Sequence, residues 1–517
     1  MDQAARSCRI ECFVSWPPFV LVFGAMARTG QVEHKQMTVR WINILVVGAS
    51  MLGGCASSHG PFDDGQMFAD LESNRTDLPI AQIDATARPS VRSDDGLALA
   101  GDMGPDDYVR LALDRNPSIR SSRQTVERLG QRIDQVTSLD APMFNVAPFG
   151  QMAETAAGEV GLMTGISQKL PYPGKLAARG QIAAQQVAMA MQDLESTRLQ
   201  VVSDTRQAYW SYYFAVRAIE VIERSRELLS QFKDIAQAKN KAGTATQQDV
   251  LRASVELSNL DNELITWRGR RTTAVAMLNS LIDRRVTASI PPPKRVDLES
   301  VSLNLDRLLA DAEQVNPAIA RIRQRIEGYR QQLKLAKLNR YPDLTVSLNY
   351  VAVDDHGLSP VANGDDQWWF GFGVNLPVWV TKLNAAENEA RHGIMEGLAD
   401  LSDTHNRVAF RVQDASVKVD TQQRLAILFR DVIVPQARQA VDASFSSYRT
   451  GQVDFLTLVD NWRKLLNFEL MYHQSLAQLE KDFAQLRQAV GRDIERQTPP
   501  EAPALESLVP EAQPMEQ

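Results

Sequence analysis

Beyond residue 55 this sequence has no cysteine: its three thiols are Cys8, Cys12 and Cys55. A chain processed at Cys55 could therefore build neither a disulfide framework nor a thiolate metal site. No stretch after Cys55 is apolar enough to be a membrane-crossing helix, which needs about 20 such residues. Any spanning part must be built from strands. An excess of basic charge is also missing, with 56 Lys and Arg against 63 Asp and Glu, a net charge of −7. That argues against a nucleic-acid partner. The six histidines are His34, His59, His356, His392, His405 and His473. None pairs with another at metal-ligand spacing on one helix. There is no nucleotide loop, zincin motif or serine elbow. We expect no catalytic residues, no metal and no cofactor, and so no enzyme.

What is present begins at Met37. Met37-Thr38-Val39-Arg40 is a short basic region, and Trp41 to Leu52 is an apolar run of signal-peptide length. Leu52-Gly53-Gly54-Cys55 follows. Such a segment is a processing signal and does not belong to the fold. Its end resembles a bacterial lipobox, which marks Cys55 for lipidation. An uncleaved anchor helix is the alternative, but the run is shorter than a bilayer requires. Residues 1–36 do not look like the start of a signal, so Met37 is the expected true start or the upstream part an extended leader. Removing residues 1–54 takes away five Lys/Arg and three Asp/Glu, which moves the net charge from −7 to −9.

A duplication organises the rest. Asn116-Pro117-Ser118-Ile119 opens a helical stretch that runs to Pro142, and Asn316-Pro317-Ala318-Ile319 opens another that runs to Pro342. Strand-like sequence follows each, then Leu170-Pro171 or Leu376-Pro377, then a very long helical segment. A glycine turn breaks each long segment, at Gly243 and at Gly451, and a heptad helix closes each copy. Pro291-Pro292-Pro293 cannot continue a helix and marks the linker. The resulting division is leader 1–54, extended lipidated segment 55–103, repeat 104–290, linker 291–303, repeat 304–496 and disordered tail 497–517.

Four strands are expected, over about 142–152, 160–170, 343–353 and 367–377. Leu344, Val346, Leu348 and Tyr350 alternate with Thr345, Ser347, Asn349 and Val351. Phe370, Phe372, Val374 and Leu376 alternate with small or polar residues. This period of two gives one apolar face, and each run is close to the 9–11 residues of a tilted membrane strand. Tyr350, Trp368 and Trp369 cluster near a polar loop, where aromatic girdles sit. The first pair alternates more weakly and is joined by a short loop, Ala153 to Glu159. A soluble sheet with one buried face remains the alternative. Four strands cannot close a membrane barrel, which takes about eight or more. Two or three copies would supply eight or twelve.

Residues 174–240 contain no internal proline and almost no glycine. A helix of that length extends on the order of 100 Å. Val250, Leu257, Leu264 and Leu278 form one heptad row of the return helix, with Ala253, Leu260, Trp267, Ala274 and Leu281 beside it. In the second copy Leu458, Leu465, Tyr472, Leu479 and Leu486 pair with Trp462, Leu476, Phe483 and Val490, interrupted by Glu469. These are coiled-coil patterns. Pro435 should kink or break the second long helix, about Leu383 to Tyr448. At the tips, Thr246 and Asp249 read as a capping box, and Asp454 suits a helix N-terminus. Each aspartate could also ring a tunnel mouth. The second tip reads as three residues shorter than the first.

Taken in order, the repeat, Ser167-Gln168-Lys169-Leu170-Pro171-Tyr172-Pro173-Gly174-Lys175, Val434-Pro435-Gln436-Ala437, and Tyr448-Arg449-Thr450-Gly451 with Asp454-Phe455-Leu456 resemble the TolC family of outer-membrane efflux proteins. The resemblance covers about residues 104–492. It implies a mainly α protein with membrane β: four strands per chain in a twelve-stranded trimeric barrel, and long coiled-coil helices forming an α-barrel through the periplasm. It implies a homotrimer in outer-membrane lipid, a periplasmic adaptor, and an inner-membrane pump, often of the resistance-nodulation-division type. It also implies a covalent lipid on Cys55, with Ala56 permitting transfer to the outer membrane. Pro171, Pro173, Gly174 and Pro377 would make the strand-to-helix transitions. Gly243, Asp249, Gly451 and Asp454 would form the periplasmic gate, with Thr457 standing where the family pattern has a second aspartate. The Leu170-to-Lys175 segment looks closest to the branch serving heavy-metal and cation pumps. A protein-secretion channel and a periplasmic coiled-coil lipoprotein that forms no channel are the alternatives.

Overall fold

A computed structural model describes residues 103–494, apart from 156, 297, 299–301 and 356–363. The leader, Cys55, the tail 497–517 and His34, His59 and His356 lie outside the described residues.

The first repeat runs α1 (Pro105–Arg115), α2 (Pro117–Thr137), β1 (Met143–Thr155), β2 (Gly158–Leu170), α3 (Lys175–Lys241) and α4 (Gln247–Leu281). The second runs α5 (Leu305–Val315), α6 (Pro317–Leu338), β3 (Leu344–Asp354), β4 (Gln367–Val374), α7 (Val380–Leu428), α8 (Val434–Thr450) and α9 (Phe455–Val490). Both Asn-Pro pairs start helices for one reason. The asparagine side chain accepts from the N–H two residues on, while proline occupies the first turn, where no N–H partner exists.

α3 is continuous over 67 residues. Its counterpart is divided by a π-turn at Phe429–Ile433, just before Pro435. Proline has no N–H to give, and the wider turn absorbs the fault instead of ending the helix. The expected kink thus takes the form of a π-turn.

The heptad rows pack as read. Val250, Ala253, Leu260 and Leu264 of α4 share a core with Phe455, Leu458, Trp462 and Leu465 of α9 and with Leu229 and Phe232 of α3. Glu469 interrupts its row because it meets charge, bonding Arg438 at 2.7 Å. Midway along α3, Tyr209, Trp210 and Tyr213 pack with Tyr108 of α1. There the Tyr212 hydroxyl donates to the Ile290 carbonyl, and Arg217 donates to that of Pro293. The start of the proline linker is thereby held against α3.

The four strands form one antiparallel sheet in the order β1-β2-β3-β4. Two expectations need correction. The first hairpin has almost no loop, since β1 reaches Thr155 and β2 starts at Gly158. Gly158 takes φ +127° with the Asp354 carbonyl beside it, a position closed to any Cβ. β4 stops at Val374 rather than 377, because Asn375 turns in to exchange hydrogen bonds with the Asp343 backbone.

Candidate functional site

Strand register sorts the sheet into two faces. Phe144, Ile166, Leu348 and Phe370 stand opposite one another across all four strands. Val146, Thr164, Tyr350 and Trp368 form another row on that face. The other face carries Asn145, Gly165, Asn349 and Trp369 in one row, and Ser167, Ser347 and Gly371 in the next. Large apolar side chains on the first face lie open, Phe370 at 65% and Phe372 at 75% exposed. Continuous apolar surface of this kind is disfavoured in water and is the outer face of a membrane strand. β1 and β4 are the sheet's two edges, each pairing on one side among the described residues. In lipid such edges leave backbone groups unsatisfied.

The strand-to-helix junction is built around Asp343. Pro171 and Pro173 lead to Gly174, which caps α3 at φ +92°, a conformation that glycine adopts freely. The turn sets Lys175 inside, 3% exposed. Its ammonium donates to Asp343 Oδ1 at 2.7 Å and to the Tyr341 carbonyl at 2.9 Å. The Tyr172 N–H also donates to Asp343 Oδ1, and the Tyr172 and Tyr341 rings stack at 4.5 Å. Burial alone would raise the Asp343 carboxyl. Hydrogen bonds from Lys175 and the Tyr172 backbone, with the charges of Lys175 and Lys169, hold it below the usual carboxylate range. Pro377 lies in the other connection, two residues past Asn375. The sequence reading named the prolines and Gly174 but missed Asp343 as the hub; the lone cation after Gly174 was the available signal.

At the tips, Gly243 and Gly451 take φ +74° and +81° and reverse the chain. Thr246 and Asp249 form the expected capping box. Asp454 caps α9 by accepting from the Thr457 N–H and hydroxyl. The tips are the same length from glycine to N-cap, which corrects the shorter second tip. The matching positions are Thr246 with Asp454 and Asp249 with Thr457, so each tip has one threonine and one aspartate in exchanged places. Hydrogen bonds from the Thr457 hydroxyl and N–H, aided by Arg252, hold Asp454 below the usual range.

Side chains that the sequence reading missed tie the two hairpins together. Lys239 donates to the Tyr448 carbonyl and lies 4.5 Å over its ring. Arg463 of α9 pairs with Glu256 of α4. The Tyr448 hydroxyl is pushed up to about 12 by burial and by Asp249. No sequence spacing announces these contacts, since their partners lie in different repeats.

The model of the family described as outer membrane efflux protein matches residues 108–283 and 308–492. The chain belongs to that family. Each of the two matched segments carries one copy of the helix–strand–strand–helix order. The chain is similar to the cobalt-zinc-cadmium resistance protein CzcC of Cupriavidus metallidurans, 22% identical over 323 residues, 62% of this chain and 74% of that protein. Among solved structures, the outer-membrane channel OprN has a TM-score of 0.65 at 17% identity, covering 75% of this chain and 90% of that one. VceC of Vibrio cholerae has a TM-score of 0.63 at 19% identity, covering 76% and 97%. These structural likenesses establish the fold. As an outer membrane efflux protein, the chain is a channel for export.

No described helix is long and apolar enough to cross a membrane. His392, His405 and His473 join no metal-ligand cluster among the described residues.

Proposed function

We propose that this chain is the outer-membrane conduit of a tripartite efflux system. Three copies pair β4 of one with β1 of the next, closing a twelve-stranded barrel in the outer membrane. The hairpins α3–α4 and α7–α9 of the three copies extend it through the periplasm as an α-barrel. The carrying observation is a sheet with large apolar side chains open on one face, chiefly small and polar ones on the other, and no partner at either edge among the described residues. In lipid it demands partners.

The finer assignments belong to the same reading. Cys55 carries the lipid anchor, residues 1–54 are removed, and the chain divides into repeats at 104–290 and 304–496. The hairpin tips meet a periplasmic adaptor and, through it, an inner-membrane pump of the resistance-nodulation-division type. Asp249 and Asp454, turned by Gly243 and Gly451, ring the periplasmic mouth. Similarity to CzcC supports metal cations as cargo.

The test is reconstitution of the full chain from detergent into planar bilayers, with its mass in detergent measured in parallel. A trimer that opens long-lived channels is expected. A detergent-independent monomer without conductance refutes the conduit. For the cargo, a deletion strain should lose tolerance to cobalt, zinc or cadmium. Unchanged tolerance with lost protein secretion would replace the cargo assignment. The anchor is checked by the mass of the mature N-terminus, which should carry acyl chains in wild type and none in Cys55→Ser.

A further inference from the structure

Charge is distributed unevenly along the four strands. Their acidic residues, Glu154, Glu159 and Asp354, sit at the loop end of the sheet. Lys169 is their one basic residue, and it sits at the helix end. Lys169 stands opposite Thr345, which stands opposite Gly373, and the next row on that side is Ser167, Ser347 and Gly371. This is the polar face, the one that lines the lumen when the apolar face meets lipid.

Lys169 is also the less satisfied of two cations sharing one carboxylate. Its ammonium lies 3.5 Å from Asp343 Oδ2 and its side chain is 48% exposed. Asp343 Oδ1 is taken by Lys175, whose side chain is 4% exposed, and by the Tyr172 N–H. Within this group of three side chains, two ammonium groups face one carboxylate. The excess within the group resides on the lysine that solvent reaches.

We infer that Lys169 is a charge-selecting residue of the conduit: three copies place a ring of positive charge where the β-barrel meets the helices, favouring anionic and disfavouring cationic solutes there. Rings of like charge set ion preference in pores by this means. The inference rests on the trimeric conduit reading. The ring lies at the neck, between the tip aspartates and the acidic loop end of the strands, so it opposes the preference that either end imposes. Metal cations that cross the neck do so best neutralised or complexed by anions.

The experiment measures zero-current potentials of the full chain in planar bilayers under a potassium chloride gradient, for wild type, Lys169→Arg, Lys169→Gln and Lys169→Glu. Lys175 still holds Asp343 in each variant, so assembly should persist. Lys169→Gln should raise the potassium-to-chloride permeability ratio about twofold or more, Lys169→Glu should raise it further, and Lys169→Arg should leave it unchanged. The difference should shrink in molar salt, where screening falls to about 3 Å. Conducting variants with the wild-type ratio overturn the role of Lys169 while leaving the conduit intact. A wild-type protein that forms no channels removes both. Block by tripolyphosphate added on the strand side provides a second readout: Lys169→Gln should need a higher concentration than wild type, and equal block in the two overturns the inference.

Discussion

Asn116 and Asn316, 200 residues apart, make the same pair of hydrogen bonds. Each side-chain oxygen accepts from the N–H two residues on, at 2.9 Å in both. Each side-chain amide donates to a carbonyl at the end of its repeat's last helix, Leu281 at 2.9 Å and Ala489 at 2.8 Å. One residue thus starts a helix and fastens the end of another. Asn116→Ala or Asn316→Ala should cost about 1–2 kcal/mol from the lost cap, and more from the orphaned carbonyl. Aspartate in either place keeps the cap and loses only the donor. Thermal melting followed by circular dichroism should rank the variants wild type, then Asp, then Ala. Equal melting of Asp and wild type would show that the donated bond contributes nothing.

The junction pair makes a sharper prediction. Lys175→Met leaves the Asp343 carboxylate in a buried site with the Tyr172 N–H and the half-exposed Lys169 as its remaining partners, and should cost about 3 kcal/mol. The Asp343 carboxyl is held below its ordinary range in the folded chain. Its stabilisation is therefore complete above the unfolded carboxylate range and is lost as pH falls through the folded value. Asp343→Asn should remove this acid-dependent part. Acid unfolding profiles of wild type and Asp343→Asn that run parallel would count against the pair.

His473 reports on a milder acid window than Asp343. Burial first, then Arg217, Arg224 and Arg295, against Glu220, push its imidazole down to about 4. The folded chain holds it neutral, while the unfolded chain protonates it near 6.5. Stability from this site is full above pH 6.5 and is lost as pH falls toward 4, on the order of 3 kcal/mol in all. His473→Gln should flatten the stability curve across that window. A variant with the wild-type slope would place His473 in contact with solvent.

Much of this architecture was readable because it repeats at short range. The Asn-Pro starts, the period-two runs of β3 and β4, and the heptad rows of α4 and α9 are all set by neighbours within a few residues. Pro435 announced its fault because a missing N–H cannot be hidden. The unread features join distant parts of the chain. Lys175 finds Asp343 across 168 residues and Lys239 finds Tyr448 across 209. The tip alignment was misread for a related reason. Counted from glycine to aspartate the second tip is three residues shorter, whereas backbone position sets Asp249 beside Thr457. Chemical likeness misled where helix geometry decides. The end of β4 escaped notice because Leu376 keeps the alternation after Asn375 has already turned away.

The hairpin ties give the last prediction. Arg463–Glu256 and the Lys239–Tyr448 contact join the second hairpin to the first near the tips. Partly exposed ties of this kind are each worth on the order of 1 kcal/mol. No single one locks the tip, but three copies of two ties act together on one aperture. Arg463→Ala with Lys239→Ala should therefore raise closed-state conductance more than the two single changes combined. Asp454→Ala acts differently. It removes both the α9 cap and a carboxylate held ionised by Thr457, so it should raise conductance and weaken block by cations at the tip end. Asp454→Asn keeps a capping oxygen without the charge. If Asp454→Asn relieves cation block while preserving the wild-type conductance, the carboxylate acts on passing ions. If only Asp454→Ala changes either quantity, Asp454 serves its helix alone.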